Sequence, residues 1–333
     1  MNIPIFLSSD ENYSPFLCTT MYSILEHTKS FIEFHILDGG ILDKSKKLID
    51  KSLKKFKNQY SIEYHDMSEF NLAQFPNLFH LSTSAYARFF IPNLVKDFNK
   101  ILYLDVDIIV NGNIDKLYDN EMDNYPIAAC LHSSKSSGEN FKKHVYPQFK
   151  DTKKYFNSGV LLMDIDKFRK NDYVSKLVEI CLKYKDKLQF ADQDVFNIFF
   201  EDNFKELDCA YNFFPIRYKE YNINNSDCEK LLQEIIIFHY IGGGCKPWQN
   251  KYILTADKFW QVANKTKFKK RIKKIYKEKN EEHKKILEFI LNNIFSVKNE
   301  KNHKVWTILG IKFKRSNNLK ASVAPVRESN ISS

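Results

Sequence analysis

The stretch Lys100-Ile-Leu-Tyr-Leu-Asp-Val-Asp-Ile-Ile-Val110 constrains the fold more than any other part of this chain. Ile101–Leu104 reads as a buried strand, and Ile108–Val110 continues the apolar run. Between them stand Asp105 and Asp107, where an apolar core rejects charge unless a cation or hydrogen-bond donors offset it. Two residues apart on extended backbone, the two carboxylates project to the same side. That arrangement suits a divalent cation, and through it a phosphate-bearing ligand. Two solvated acids at a strand end are the alternative reading.

The chain around this stretch alternates strand and helix. Strands are expected at Ile3–Ser8, Phe31–Leu37, Tyr60–His65 and Ile101–Leu104. Between them Pro15–His27 reads as a helix with Leu17, Met21, Ile24 and Leu25 on one face. Asp43–Phe56 reads as a basic amphipathic helix with Asp43 as N-cap, and Thr83–Leu94 as mostly helical. This βαβαβ order predicts a mainly parallel sheet with helices on both faces. Ligands of such sheets bind beyond the carboxyl ends of the strands, where Ser8-Ser-Asp10 and Asp105/Asp107 both fall. Further strands are expected at Ile127–Cys130, Ser158–Asp164 and Ile235–His239, and helices at Asp166–Lys185 and Asp192–Phe200.

A chain of 333 residues with 28 Phe and 18 Tyr buries a full core, and one large domain with a C-terminal extension fits better than two equal domains. No run approaches the roughly 18 consecutive apolar residues of a spanning helix. The chain opens on a strand-like segment, so no secretory leader is expected. Cys18, Cys130, Cys181, Cys209, Cys228 and Cys245 are scattered without a Cys-x-x-Cys pair, which fits reduced thiols and argues against zinc. Residues Lys265 to Lys320 hold 18 Lys/Arg against 5 Glu; a surplus of +13 in a chain whose total is +10 leaves the remainder at −3. The basic residues alternate with Phe268, Ile272, Tyr276, Trp306, Ile308, Leu309, Ile311 and Phe313. An anionic membrane surface is the first reading of that mix, a solvated helical face the second; nucleic acid is not expected, since no recognition fold accompanies it. After Ser316 the composition is that of a disordered tail.

No glycine follows the first strand, so the dinucleotide fingerprint Gly-x-Gly-x-x-Gly is absent, as is a phosphate-binding Gly-Lys-Ser/Thr loop. Three of the nine glycines are instead consecutive, Gly242-Gly-Gly244, between His239 and Lys246-Pro-Trp248. Glycine permits close backbone approach to a ligand, and Lys246 supplies charge for phosphate. His239 at a strand end is read either as a hydrogen-bonded core residue or as a metal ligand.

Six segments in order resemble glycosyltransferase family 8, the retaining enzymes related to bacterial lipopolysaccharide galactosyl- and glucosyltransferases. They are Ser9-Asp-Glu-Asn-Tyr13, Thr83-Ser-Ala-Tyr-Ala-Arg88, Ile101-Leu-Tyr-Leu-Asp-Val-Asp107, Tyr155-Phe-Asn-Ser-Gly-Val-Leu-Leu162, Asp192-Gln-Asp194, and His239-Tyr240 with Lys246-Pro-Trp248. The resemblance implies a nucleotide-diphosphate-sugar transferase (GT-A) fold of α/β class with one Rossmann-like catalytic domain over 1–264; the charge balance adds a basic, partly helical membrane-associating extension over 265–315, and composition a tail over 316–333. The resemblance also implies a UDP-sugar donor, a saccharide or lipid-linked oligosaccharide acceptor, and Mn²⁺ held by Asp105, Asp107 and His239. Mg²⁺ is less favoured, because an imidazole suits the transition metal.

By the same resemblance, Ser8, Asp10, Asn12 and Tyr13 line the uridine side, with Tyr13 stacking on uracil. Arg88, Asn157, Ser158 and Asp192 orient the donor sugar, Gly242 and Lys246 meet the diphosphate, and Gln193 lies at the β-face of the anomeric carbon. An amide is a poor nucleophile, so front-face attack on an oxocarbenium-like sugar is favoured over a covalent intermediate. The chain departs from the family in two places. One residue more separates His239 from Lys246, and His132-Ser-Ser stands where galactosyltransferases carry an acid.

Two rivals belong to other classes. Haloacid-dehalogenase-like phosphatases also place Asp-x-Asp after an apolar strand, but carry Thr where this chain has Ile109. A non-catalytic basic binding module would have no use for the acid, His and Gln set.

Overall fold

The computed structural model describes residues 1–78, 83–132, 135–217, 225–293, 295–300, 303–308 and 311–316. It divides into two compact units, Met1–Tyr276 and Lys277–Ser333. The first contains strands β1 (Asn2–Ser9), β2 (Phe31–Asp38), β3 (Tyr60–Asp66), β4 (Lys100–Leu104), β5 (Ile108–Val110), β6 (Ile127–Leu131), β7 (Phe156–Asp164), β8 (Lys205–Leu207) and β9 (Ile237–His239). Seven form one sheet in the order β3-β2-β1-β4-β7-β6-β8, and β5 pairs with β9 apart from it. Within the seven, only β7 runs antiparallel to its neighbours, so the sheet is mainly parallel, as its alternation of strand and helix predicts.

Alternate residues of each strand enter opposite cores. Ile3, Ile5 and Leu7 of β1, with Leu102 and Leu104 of β4, join one cluster. Phe6, Ile101 and Tyr103 join the other. Both faces are therefore covered, which is why these strands read as continuous apolar runs rather than alternating ones. The strand order reverses between β1 and β4, and the carboxyl ends of that pair are Ser9 and Leu104. A crevice opens at such a reversal, and Asp10 and Asp105 are the next residues along.

The helix Ser14–His27 is buried from Ser14 through Leu25 rather than along one stripe. Its polar side is satisfied by the segment carrying the two acids. The Thr20 hydroxyl lies 3.0 Å from the carbonyl oxygens of Val106 and Ile108, and the Val110 amide donates to Ser23 Oγ at 3.0 Å. Trp248 stacks on Phe16 of this helix, with centroids 3.8 Å apart, anchoring the Lys246-Pro-Trp248 segment.

Three local expectations change. Asp43 is the first helical residue of Asp43–Leu53, after Leu42 at the cap, and stabilises that end by charge instead of a side-chain cap. The span Asp166–Lys185 is two helices, Ile165–Lys170 and Tyr173–Tyr184, broken where Asp172 takes left-handed backbone with φ 49°. The basic segment is helical over Lys269–Asn293, but its later part forms three antiparallel strands, β10 (Phe295–Glu300), β11 (His303–Ile308) and β12 (Ile311–Ser316). Ile311 and Phe313 alternate with Lys312 and Lys314, the period of a strand. Phe268 and Ile272, past residue 264, are buried in the core of the first unit. The tail from 317 lies outside the described residues. No helix among the described residues is long and apolar enough to cross a membrane.

Candidate active site

β4 ends at Leu104, and the chain crosses directly into β5, which pairs antiparallel with β9. In that register Ile108 faces His239, so the imidazole lands beside Asp107; the Tyr240 amide donates to the Asp107 carbonyl at 3.0 Å. His239 Nε2 is 3.1 Å from Asp107 Oδ1 and 3.7 Å from Asp105 Oδ2. His239 is 2 % exposed. The three residues thus converge as the sequence expects of metal ligands.

The second oxygens are taken. Asp105 Oδ1 accepts from Arg88 Nη2 and from the Tyr103 hydroxyl, each at 2.9 Å, which leaves Oδ2 turned to His239. Asp107 Oδ2 pairs with Lys246, whose ammonium also donates to the Tyr240 carbonyl. Burial by itself would raise the Asp107 carboxyl, but Lys246 and His239 hold it far below the usual carboxylate range. Asp107 therefore stays ionised at any physiological pH.

Gly159 makes the approach possible. A Cβ there would sit 2.3 Å from His239 Cε1 and 2.6 Å from Asp105 Oδ2. Two carboxylate oxygens and one imidazole nitrogen beside this glycine fit a divalent metal ion.

The sugar-side residues lie next to this cluster. Arg88 is 4 % exposed, its guanidinium 4.1 Å from the Tyr103 ring centroid, and it donates to the Ser158 carbonyl at 2.6 Å. Its Nη1 stands 3.2 Å from Asp192 Oδ2, outside hydrogen-bonding alignment. Burial raises the Asp192 carboxyl, Arg88 opposes this and Asp105 adds to it, leaving the group at about 6. Asn157 Nδ2 donates to Gln193 Oε1 at 2.7 Å, and Gln193 Nε2 donates to the Tyr155 hydroxyl at 2.8 Å.

On the other flank, Asp10 Oδ1 accepts from the Tyr13 amide, three residues on, at 2.9 Å, just before the helix Ser14–His27. Tyr13 and Asn12 are exposed. Partial burial and the carboxylates of Asp107, Asp10 and Asp105 push the Tyr13 phenol up to about 12. Ser8 Oγ is committed to the Ser84 carbonyl at 3.0 Å. Gly242 and Gly244 take positive φ, 85° and 74°; a Cβ would meet Cys245 Cβ at 3.9 Å at the first and nothing within 4 Å at the second. Here glycine serves a left-handed turn that returns Lys246 to Asp107.

Sequence reasoning missed Asn212, whose Oδ1 lies 2.8 Å from His239 Nδ1, because a lone Asn in Tyr211-Asn-Phe-Phe carries no pattern. Gly159, Tyr103, Tyr155 and Asp194 lie inside the quoted segments, and a role for Tyr103 was readable from its spacing of two before Asp105.

Among the described residues one other cluster has metal-ligand chemistry, His35, Glu63 and His65 on β2 and β3. His35 Nδ1 is 3.0 Å from His65 Nε2, and His35 Nε2 is buried without a partner.

Comparison with known proteins places this geometry in context. Residues 4–252 match the model of Glycosyl transferase family 8. A putative glycosyltransferase of Haemophilus influenzae is 28 % identical over 249 residues, covering 74 % of this chain and 73 % of its own. Glycosyltransferase GlyB of Streptococcus pneumoniae is 31 % identical over 267 residues, which span 78 % of this chain but 60 % of GlyB. The galactosyltransferase LgtC, solved in complex with donor and acceptor sugar analogs, superposes with a TM-score of 0.68 at 27 % identity, over 80 % of this chain and 96 % of LgtC. A family match over most of the first compact unit and a solved relative with the same mixed sheet agree: the chain belongs to glycosyl transferase family 8.

Proposed function

We propose that this glycosyltransferase moves a hexose, galactose or glucose, from a UDP-sugar to a saccharide acceptor of the lipopolysaccharide or lipooligosaccharide core type, with retention of configuration and with Mn²⁺. The observation that carries this reading is the convergence of ligand atoms of Asp105, Asp107 and His239 within 4.8 Å of one another, beside Arg88, Asp192 and Gln193. Asp105, Asp107 and His239 would hold the ion, which when bound supplies Lewis-acid neutralisation of the charge on departing UDP.

The chain's own groups do the rest. Lys246, held at the rim of the cluster, adds positive charge where a diphosphate is to be accepted. Arg88 is kept cationic by Asp105 and Asp192, against the effect of burial, and with Asp192 positions hydroxyls of the donor sugar. Both ends of the Gln193 amide are engaged, so it presents a fixed dipole and not a mobile nucleophile. That supports attack by the acceptor on the same face from which UDP leaves. Asp10, Asn12 and Tyr13 form the exposed edge on which uridine would sit.

We also propose that the catalytic domain is followed by a basic extension (265–315) that holds the enzyme on the inner, cytoplasmic face of the membrane near a lipid-linked oligosaccharide acceptor. The +13 surplus from Lys265 to Lys320 supports it, each basic residue near an anionic bilayer contributing ~1 kcal/mol. In the β10–β12 register, Val297, Trp306 and Phe313 stand opposite one another.

The decisive experiment is a donor screen measuring UDP release with and without Mn²⁺, with product NMR. Metal-dependent release from UDP-galactose or UDP-glucose and an α-linked product are expected. A β-linkage, or turnover indifferent to metal, overturns the reading. Co-sedimentation of the full chain and of a truncation after Tyr276 with anionic vesicles tests the extension; equal binding at low salt overturns that part.

A further inference from the structure

Behind Gln193 and His239 runs a chain of side-chain hydrogen bonds whose direction is pinned by backbone amides. Asp194 Oδ2 accepts from the Gln189 and Phe190 amides at 2.7 and 2.8 Å, and Asp194 Oδ1 accepts from the Tyr155 hydroxyl at 2.6 Å. Having given its hydrogen away, the Tyr155 oxygen accepts from Gln193 Nε2. Gln193 Oε1 therefore faces Asn157 Nδ2, and the Ser158 amide, 3.4 Å away, donates to the same oxygen. Asn157 Oδ1 accepts from the Gly159 amide at 2.9 Å and from Asn212 Nδ2 at 2.8 Å.

Each amide side chain has one donor end and one acceptor end, and backbone donors at 158 and 159 forbid reversing either one. Asn212 is left with only its oxygen to offer His239 Nδ1, at 2.8 Å. An oxygen there requires Nδ1 to carry the proton. In the neutral form an imidazole has one N–H, so Nε2, 3.1 Å from the Asp107 carboxylate, is then the nitrogen with the free lone pair, the form that a metal ion binds.

We propose that Asn212 is the positioning residue that sets the His239 tautomer, keeping Nε2 free for metal. Through Asn157 the same chain holds the Gln193 amide, so the metal side and the sugar side share one fixed polarity. The proposal rests on the metal reading of Asp105, Asp107 and His239, but the tautomer is measurable without metal. A partner that holds the second nitrogen of a ligating histidine is worth about 10–100-fold in metal affinity.

The test uses the full chain with ¹⁵N-labelled histidine, metal-free and at mildly alkaline pH, with His239 assigned by its loss in His239→Gln. Long-range ¹H–¹⁵N correlation should show His239 protonated at Nδ1; protonation at Nε2 overturns the proposal. Mn²⁺ affinity is then read from the free-ion electron paramagnetic resonance signal. Asn212→Ala should weaken binding about 10–100-fold, while Asn212→Asp, which keeps an acceptor on Nδ1 but gives up the donor to Asn157, should lose clearly less. An unchanged Asn212→Ala, or equal losses in both variants, overturns it. If Asn212→Ala does not fold, the wild-type tautomer decides. Absence of Mn²⁺ binding by the wild type would instead sink the functional reading, with the tautomer still deciding this one.

Discussion

Two clusters among the described residues carry the same donor types, carboxylate and imidazole, and they hold their imidazoles differently. In Asp105/Asp107/His239 the ring nitrogen away from the carboxylates is bonded to Asn212, so the other nitrogen faces them. In His35/Glu63/His65 the near nitrogens are bonded to each other at 3.0 Å. Coordination through His35 Nδ1 would force its proton onto Nε2, which is buried with no acceptor. Phe6 stacks on His35 with centroids 4.6 Å apart, and His35 on His65 at 5.3 Å, which marks a packed pair at the sheet edge. Donor types within reach do not make a metal site; the partner of the outer nitrogen decides.

The largest expected effect breaks or keeps that contrast directly. Asp107→Asn should reduce transfer on the order of 10³-fold or more, by analogy with losing a principal electrostatic group, while Glu63→Gln leaves Mn²⁺ dependence unchanged. Near-wild-type UDP release by Asp107→Asn at saturating Mn²⁺ would make the contrast wrong, as would a Mn²⁺ requirement altered by Glu63→Gln.

His239→Ala should be milder. Water can fill one coordination position, so the Mn²⁺ concentration for half-maximal rate should rise about 10–100-fold with recovery at high metal; an unshifted Mn²⁺ curve removes His239 from the ligand set. Gly159→Ala sharpens the same point from the backbone side. A methyl group 2.3 Å from the imidazole carbon must displace it, costing about 1–3 kcal/mol of stability and weakening Mn²⁺ binding with no change of donor. Thermal unfolding and a Mn²⁺ titration at wild-type values would show that the ring has room elsewhere.

The effects on stability alone are opposite pH slopes in the two regions. Asp192 has its carboxyl raised by burial, with Arg88 opposing, to about 6. The folded state thus holds a proton more tightly than the unfolded chain, and this contribution to stability is lost as pH rises from about 4 to 6, on the order of 3 kcal/mol. Asp192→Asn should abolish that fall. His35 is lowered by burial and by His65 to about 4. Its contribution is present above about 6.5 and lost as pH falls toward 4, by a similar amount, and His35→Gln should remove that loss. Denaturant unfolding across pH 4 to 8 reads both; parallel profiles for wild type and both variants would deny either burial effect.

Much of the fold was legible. The six segments, the strand–helix alternation and the carboxyl-end crevice were all readable, since each rests on residues close in sequence. The errors were local breaks. Asp172 interrupts an unbroken helical pattern by adopting left-handed backbone, which Asp tolerates without announcing. In the tail, charge density read as helix masked an alternation of Ile311, Lys312, Phe313 and Lys314. In the site, the residues expected at the metal and the sugar were named from the sequence, but their hydrogen-bond partners were not: Asn212 bonds His239, and Tyr155, itself bonded to Asp194, bonds Gln193.

The sequence by itself determined the α/β class, the family and the pair of acids at the end of β4, because hydrophobic period and short motifs are written in neighbouring residues. Only the tertiary structure brings His239 beside the pair. That rests on β5 pairing with β9 in a register where Ile108 meets His239. It decided equally that Gly159 leaves the space and that Asn212 turns the ring. Strand register and hydrogen-bond direction are settled between segments distant in the chain, by which donors and acceptors the fold brings within reach of each other, and no local pattern of residues specifies them.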